Sequence, residues 1–324
     1  MRGCIAVVDT EEEFDWSKPY SRQATTVRHM RHIGTLQSVY DLFGVRPVYV
    51  VDYPIASQQE GWGPLRGFLE AGRASIGAHL HPWVTPPYEE ELSRRNSYHG
   101  NLPRHLEQAK LVNLTQRIRE KFGFQPTVFK AGRYGVGPNT FSLLADLRYR
   151  VDLSLMPPMD FSDEDGPDFS RMSCHPFRDE ETGLLVLPGT GSFYGWWPGE
   201  LRSMYRWATT SWRAKLHAMA FFLRSRALLA ISLRPEVSSL REMILVTRSL
   251  LARGHRLFIL SPHSPSVMPG CTPHVRTQQD LQALLARLNG YFKYFFHQLQ
   301  GQPWTPDDAA AYWSSQPQRQ ARAL

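Results

Sequence analysis

Acidic side chains are concentrated close to the N-terminus of the chain. The apolar run Ile5 to Val8 leads directly into a seven-residue stretch that holds five carboxylates, which are Asp9, Glu11, Glu12, Glu13 and Asp15. A short apolar run is typical of a buried β-strand, and five carboxylates cannot be buried in a sheet, so the acids must lie where the strand leaves the core. Their mutual repulsion requires water or a cation, and a divalent metal relieves it most strongly. We therefore predict that Asp9 is a base beside a metal ligand, Glu11.

Two histidines close together mark the end of a later strand. If Ile76 to His81 is extended, His79 and His81 project to the same side because a strand repeats every two residues, so both imidazoles could bind one ion. With Glu11 they form a set of one carboxylate and two imidazoles, which is common in hydrolytic metal sites that keep positions open for water. Pro82 then ends the strand, and Trp83 begins a stiff aromatic loop.

Two further stretches bring polar groups to strand ends. After a strand that ends at Lys130, the sequence Ala-Gly-Arg-Tyr-Gly-Val-Gly forms a glycine-rich turn that contains Arg133 and Tyr134. The turn has neither of the two phosphate-binding glycine spacings, so we interpret it as backbone held close to a substrate. The next predicted strand places Asp152 and Ser154 on one face.

One more histidine lies in the sequence Ser-Pro-His-Ser-Pro-Ser, where two prolines keep the loop rigid. The predicted strand Leu257 to Leu260 delivers His263 to the same edge of the sheet, which favours a chemical role over a role as a turn residue. Glu236, after another predicted strand, is interpreted either as a sugar contact or as a helix cap. A structural role is expected for His99, His105, His175, His255 and His274.

Predicted strands and helices alternate along the chain. Besides the strands above, strands are predicted over 47–51 and 229–233, and helices over 24–44, 63–71, 105–122, 139–147, 238–253, 277–299 and 306–313. This alternation predicts an α/β fold in which helices cover a parallel sheet.

Composition limits the class of protein. The chain has 324 residues, of which 42% are hydrophobic, so it can bury a large core. Its three cysteines are widely spaced, and we see neither a secretory signal nor an apolar run of membrane-spanning length. We therefore expect a cytoplasmic protein without disulfides.

The positive net charge of +7 comes from one segment. Eleven Lys or Arg lie between residues 193 and 256 against three Glu, beside Trp196, Trp197, Trp207 and Trp212. A solvated helical face with inward aromatics is the favoured interpretation. An anionic membrane or an acidic sugar polymer remains open as a partner, and nucleic acid ranks last because no recognition motif is present.

Five short motifs in a fixed order carry a resemblance to a known family. They are Asp9-x-Glu11, the pair His79 and His81, Phe-Lys-Ala-Gly-Arg-Tyr-Gly, Asp152-x-Ser154, and Leu260-Ser-Pro-His263. In this order the chain resembles the polysaccharide deacetylases, carbohydrate esterase family 4 with its NodB-homology domain, and especially the cytoplasmic branch associated with polysaccharide gene clusters. The resemblance implies a distorted β/α barrel over residues 1–299 with a basic, Trp-rich helical insertion at 193–227, followed by a C-terminal helix and tail at 300–324.

The resemblance also implies roles for the candidate residues. Asp9 matches the base that activates water, Glu11 the acidic metal ligand and His79 the first metal histidine. The family spaces its two metal histidines four residues apart, so His81 must substitute for the second through a different loop geometry. Lys130 stands where an Arg usually steadies the base.

The remaining matched positions concern the substrate and the leaving group. Tyr134 falls at the residue whose backbone N–H helps to hold the oxyanion, and Asp152 matches the acid that orients the catalytic imidazole. Leu260 corresponds to the leucine of the acetyl pocket, and His263 to the general acid that protonates the departing amine. Arg133 and Trp83 are further expected substrate contacts.

The resulting hypothesis is metal-dependent deacetylation of an N-acetylated sugar, free or lipid-linked, with zinc as the expected ion and cobalt or manganese as alternatives. The insertion at 193–227 would be a lid over the barrel mouth or a surface that rests on anionic lipid. Two alternatives stay open, which are hydrolysis of another linear or cyclic amide and binding of a saccharide without turnover.

Overall fold

The computed structural model describes residues 1–194 and 229–314. Within these ranges the strands are β1 (Gly3–Thr10), β2 (Val48–Val51), β3 (Ser75–Leu80), β4 (Val128–Ala131), β5 (Val151–Asp152), β6 (Phe177–Arg178), β7 (Leu185–Val186), β8 (Gly191–Tyr194), β9 (Leu229–Ser232), β10 (Leu257–Leu260) and β11 (Gln302–Pro303). The main sheet has the order β10-β1-β2-β3-β4-β5-β7-β6, with β11 also beside β1. Its ladders are parallel except for the last, between β6 and β7.

The helices fill the connections between the strands. The described α-helices are α1 (Ile33–Asp41), α2 (Tyr53–Ser57), α3 (Gln59–Glu70), α4 (Arg104–Phe122), α5 (Thr140–Asp146), α6 (Leu240–Ala252), α7 (Gln278–Phe292) and α8 (Pro306–Ser314). Strand, helix and parallel strand follow each other because a parallel connection needs a crossover long enough to hold a helix. The alternation read from the sequence therefore corresponds to a mostly parallel sheet that curls into a half-barrel.

The two faces of the strands pack into two different cores. In β1, Cys4, Ala6 and Val8 pack in the outer core with the helices, whereas Ile5 and Val7 pack in the inner core. The inner core also contains Trp304 and Ala309, so the C-terminal helix α8 packs against the interior of the sheet. Gly3 is required at the start of β1 because a β-carbon there would overlap the Trp304 ring.

Several predicted elements differ in extent from the observed ones. The predicted helix 277–299 is α7 followed by a π-helix, Lys293–Gln298, and the predicted helix 24–44 contains a 3₁₀ turn, Arg28–His32, before α1. The strand expected around Asp152 has only two residues. The strand at 229–233 pairs antiparallel with β8 in a separate two-stranded sheet.

Most of the basic segment predicted as an insertion at 193–227 lies outside the described residues, as does the tail after Ser314. Among the described helices, none combines the length and the apolar character needed to cross a bilayer.

Candidate active site

The candidate residues converge at the edge of the sheet where the parallel strands end. Asp9 is the seventh residue of β1 and shares the inner face with Ile5 and Val7. His79 and Lys130 are paired neighbours on β3 and β4. The loop after β10 runs beside β1, since the backbone N–H of Asp9 donates to the carbonyl of Pro262 at 3.0 Å.

Glu11, His79 and His81 form a buried group that could hold a metal ion, with ligand atoms all within 4.8 Å of one another. The Nε2 atoms of His79 and His81 lie 3.4 and 3.5 Å from the same oxygen of Glu11, Oε2. On the other side of each ring, Nδ1 has its own partner, which is the carbonyl of Lys130 at 2.9 Å for His79 and Glu12 at 2.8 Å for His81. This arrangement fits a metal, because ligand histidines bond through one nitrogen while the other donates to an oxygen.

The charges in this group favour cation binding. Burial lowers the pKa of His81, so its imidazole stays neutral, which is the form that binds metals. Burial opposes ionisation of Glu11, but the neighbouring His263 and His79 hold the pKa of that carboxyl below its usual value. The group therefore presents a negative carboxylate at Glu11 and a neutral imidazole nitrogen at His81.

Asp9 is fixed by a buried lysine. The ammonium of Lys130 donates to both carboxylate oxygens of Asp9 at 2.6 Å and to the hydroxyl of Ser261 at 2.6 Å. Burial alone would raise the pKa of Asp9, but the charges of Lys130, His79 and His263 lower it to about 2. Asp9 is therefore ionised at neutral pH.

His263 lies between two carboxylates. Its Nε2 is 3.7 Å from Oδ2 of Asp9, and its Nδ1 is 3.5 Å from Oε1 of Glu236, which also accepts the backbone N–H of His263 at 2.7 Å. Burial alone would lower the pKa of His263, but Glu11, Glu236 and Asp9 raise it to about 10. The imidazole is thus a cation at neutral pH and remains partly open, with 27% of its side chain exposed.

Solved structures of similar shape identify the fold. A protein described as a polysaccharide deacetylase from Mycobacterium smegmatis is similar over 100% of this chain and 95% of its own length, at 14% sequence identity and a TM-score of 0.56. A second protein of that description, from Pseudomonas aeruginosa PAO1, is similar over 98% of this chain and 92% of its own length, also at 14% identity and a TM-score of 0.56. The Puue allantoinase is similar over 97% of this chain and 90% of its own length, at 13% sequence identity and a TM-score of 0.54. The chain has the polysaccharide deacetylase fold. No family model matches the sequence, and no curated protein matches it either.

The polysaccharide deacetylase fold confirms the barrel architecture that the motifs imply, but two of the matched residues do not lie as expected. Asp152, expected to orient the catalytic imidazole, is bonded to the hydroxyl of Ser154 at 2.5 Å and to its N–H at 3.0 Å. Val151 and Leu153 pack in the inner core, so the alternation of side chains turns Asp152 to the opposite face. The expectation for Asp152 is wrong, and the carboxylate against His263 is Glu236.

Leu260, expected in the acetyl pocket, is also on the other face. It is fully buried in the outer core with the helices, and the inner face of this strand presents Ile259 and Ser261 instead. The expectation for Leu260 is wrong, because neighbouring residues of a strand point to opposite faces and Leu260 points to the outer one. Ile259 and Ser261 line a small pocket together with Lys130 and Tyr134.

Trp83 was expected to contact substrate, but it is almost fully buried. Its ring stacks on His81 with centroids 4.3 Å apart, and its indole N–H donates to Glu12 at 2.7 Å. It therefore supports the ring of His81, one of the three candidate metal ligands.

The glycine-rich turn has an unusual backbone. Arg133 and Tyr134 both adopt positive φ, 52° and 58°, which costs about 1–3 kcal/mol per non-glycine residue and is found mainly at functional sites. Gly132 before them is needed because a β-carbon there would overlap the ring of His81. The guanidinium of Arg133 lies 4.1 Å from the Tyr98 ring and pairs with Glu164, and Lys130 lies 5.4 Å from the Tyr134 ring.

The observed roles of three supporting groups were not predicted from the sequence. Glu236 has its partner in a distant loop, and Glu12 was one of five neighbouring acids without a distinct role. Lys110 in α4 is buried and donates to the carbonyls of Pro82, Thr85 and Pro87, so it holds the loop after His81. A lysine on the core-facing side of a predicted helix is the signal that could have indicated Lys110.

Proposed function

We propose that this protein is a metal-dependent hydrolase that removes the acetyl group from an N-acetylated sugar. The observation that carries the proposal is the convergence of Asp9, Glu11, His79, His81 and His263, with contacts of 3.4 to 3.7 Å among them. They provide what amide hydrolysis requires, which is a base for water, positive charge near the developing oxyanion and a proton donor for the leaving nitrogen. The deacetylase fold supports the same reaction.

In this proposal Glu11, His79 and His81 hold the cation. When it is bound, the cation supplies Lewis acidity, which polarises a carbonyl and makes water a stronger acid. Zinc is the proposed ion, because a carboxylate with two imidazoles is a common catalytic zinc set, and cobalt or manganese would accept the same donors.

Asp9 accepts the proton of the attacking water, and His263 gives a proton to the amine. Asp9 is ionised and Lys130 fixes both its oxygens, so the base has the correct charge and position. Because the pKa of His263 is raised to about 10, its ring carries the proton that the nitrogen takes when the C–N bond breaks. The separation of 3.7 Å between Asp9 and His263 would let the captured proton return to the imidazole afterwards.

We assign the oxyanion to the turn at Tyr134. The proposed donor is the backbone N–H of Tyr134, which lies in a turn whose two successive residues, Arg133 and Tyr134, have positive φ. Arg133 in the same turn remains a proposed substrate contact, because its guanidinium adds positive charge on this side of the site.

Aromatic side chains that contact Trp83 favour a sugar as the substrate. Trp16 is 44% exposed and meets the edge of Trp83 at 6.4 Å, and Tyr20 lies 4.9 Å from Trp83. Exposed aromatic rings offer flat apolar surfaces on which the C–H face of a pyranose can pack. Trp83 itself stacks on His81, and Tyr20 lies 5.7 Å from the guanidinium of Arg133, the other proposed substrate contact, which connects these rings to the site.

The setting of the reaction is also part of the proposal. Cysteines 4, 174 and 271 are free, which agrees with a reducing compartment such as the cytoplasm. There the substrate would be a soluble or lipid-linked N-acetylated saccharide.

The test is acetate release from a panel of free and lipid-linked N-acetylated sugars. We expect zinc-dependent release that chelator abolishes and that His263→Ala lowers strongly, while Leu260→Val, which changes only the outer core, retains it. Zinc-loaded protein that binds the sugars without releasing acetate would leave the saccharide-binding alternative.

A second candidate follows from the match to the Puue allantoinase, whose structure is similar at a TM-score of 0.54. Opening of a cyclic amide uses the same base, cation and proton donor but releases no acetate. Loss of the ring absorbance of cyclic amides and imides, with no acetate from sugars, would favour this candidate.

A further inference from the structure

Glu12 makes two contacts, and each contact uses a different oxygen of its carboxylate. Oε2 lies 2.8 Å from Nδ1 of His81, and Oε1 accepts the indole N–H of Trp83 at 2.7 Å. The side chain is buried, with 1% of the residue exposed. Because an indole nitrogen can only donate, one of the two oxygens is permanently occupied as an acceptor.

The second contact decides which nitrogen of His81 carries hydrogen. A carboxylate accepts on both oxygens, so Nδ1 of His81 must be the donor, and the lone pair is left on Nε2. Nε2 is the atom that faces Glu11 at 3.5 Å. The Trp83 ring lies nearly parallel to the imidazole, with an interplanar angle of 22°, so the ring plane is fixed as well.

We propose that Glu12 is a positioning residue that sets the tautomer and the orientation of His81 for the metal, and that Trp83 holds Glu12 in register. The inference rests on the metal site of the proposed function, but not on the identity of the substrate or on turnover. Its failure is therefore distinguishable from failure of the deacetylase proposal.

A competing interpretation is a second cation among Glu12, Asp52 and His81, whose ligand atoms also lie close together. These atoms already have partners, since Asp52 accepts the N–H of Glu12 at 2.7 Å and that of Ile55 at 2.8 Å. Both oxygens of Glu12 are likewise occupied, by the imidazole of His81 and the indole N–H of Trp83. We therefore assign the group to support of one ion.

The test uses Glu12→Gln, Trp83→Phe and the double variant. Glutamine offers one acceptor and one donor, so in Glu12→Gln its NH₂ must face either the indole N–H or the imidazole N–H. We expect zinc affinity, measured by competition with a chromophoric chelator, to fall about 10- to 100-fold. In the double variant the amide NH₂ can turn towards the phenyl ring, and the carbonyl again accepts from His81, so most of the affinity should return.

Glu107→Gln is the matched control, because Glu107 is also buried and bonds to Nδ1 of another histidine, His99, at 2.9 Å. It should leave zinc affinity unchanged. An independent readout is ¹⁵N NMR of the metal-free wild-type protein, in which His81 should be the Nδ1–H tautomer whether or not the variants fold.

Three results would overturn the proposal. They are wild-type zinc affinity in Glu12→Gln, a double variant no better than Glu12→Gln, and an Nε2–H tautomer of His81. Two zinc ions per chain would be a fourth such result, because they would support the competing interpretation.

Discussion

Replacement of Lys130 by methionine should expose how strongly Asp9 depends on its buried partner. Lys130→Met keeps an unbranched side chain but removes the ammonium that donates to both oxygens of Asp9. Asp9 is only 3% exposed, so water cannot substitute. The buried carboxylate would then have lost its main compensating charge.

The magnitude follows from the pKa of Asp9. Its lowering from 3.8 to about 2 corresponds to about 2 kcal/mol of net stabilisation of the charged form. Breaking a buried pair also leaves the desolvation cost uncompensated, and such deletions cost about 3–5 kcal/mol. We expect the free energy of unfolding to fall by that amount at pH 7.

The pH dependence has a defined sign. In the wild type the stabilisation by Asp9 is present above its unfolded pKa and is lost as the pH falls through the folded value of about 2. Without Lys130 the largest charge that opposes burial is lost, so the pKa of Asp9 is higher than in the wild type and the variant is penalised when Asp9 is ionised. The gap between variant and wild type should therefore narrow as the pH falls towards 4.

Urea unfolding with chelator present measures the effect, since a bound cation could replace the ammonium. Lys130→Arg, which keeps the charge, should lose less stability, and Asp9→Asn combined with Lys130→Met should recover part of the loss. If Lys130→Met were as stable as the wild type at pH 7, the buried pair would not hold Asp9 as described.

Three further predictions concern other parts of the molecule. Glu236→Gln should lower the pKa of His263, because Glu236 is one of three carboxylates that raise it. The alkaline limb of the pH profile of kcat/KM should then move to lower pH. An unmoved limb would show that Glu236 does not act on the imidazole. Burial lowers the pKa of His255 to about 4, so the unfolded chain takes up a proton at this residue before the folded chain does. The free energy of unfolding should therefore be unaffected by His255 above pH 6.5 and fall by about 3 kcal/mol as the pH drops to 4. Acid-unfolding curves of His255→Leu should lack this contribution. Trp16→Ala should raise KM for an oligosaccharide and leave kcat nearly unchanged. A lower kcat with an unchanged KM would exclude a binding role for Trp16.

The metal-binding group was accessible from the sequence because it depends on simple periodicity. His79 and His81 are two residues apart at a strand end, and Glu11 follows another strand of the same sheet. In a parallel sheet these ends meet at one edge, so their proximity required no knowledge of distant packing.

The errors at Asp152 and Leu260 have a common physical cause. Each lies in a short strand, where a shift of one residue moves a side chain from the inner face of the sheet to the face that the helices cover. Both predictions relied on motif position and did not count the alternation from Val151 or Ile259.

The supporting shell depends on long-range contacts that no local pattern contains. Glu12 and Glu13 look equivalent in sequence, yet Glu12 binds His81 and Trp83 while Glu13 binds Arg28 and the N–H of His29. Glu236 left two interpretations open because its partner His263 lies 27 residues further along the chain.

Anomalous diffraction at the zinc edge from crystals of the zinc-loaded protein tests the central claim most directly. The account predicts one peak about 2.0–2.2 Å from a carboxylate oxygen of Glu11 and from the Nε2 atoms of His79 and His81, with Asp9 and His263 beside it. A peak bound by other residues, or none at these three side chains in zinc-saturated crystals, would contradict it.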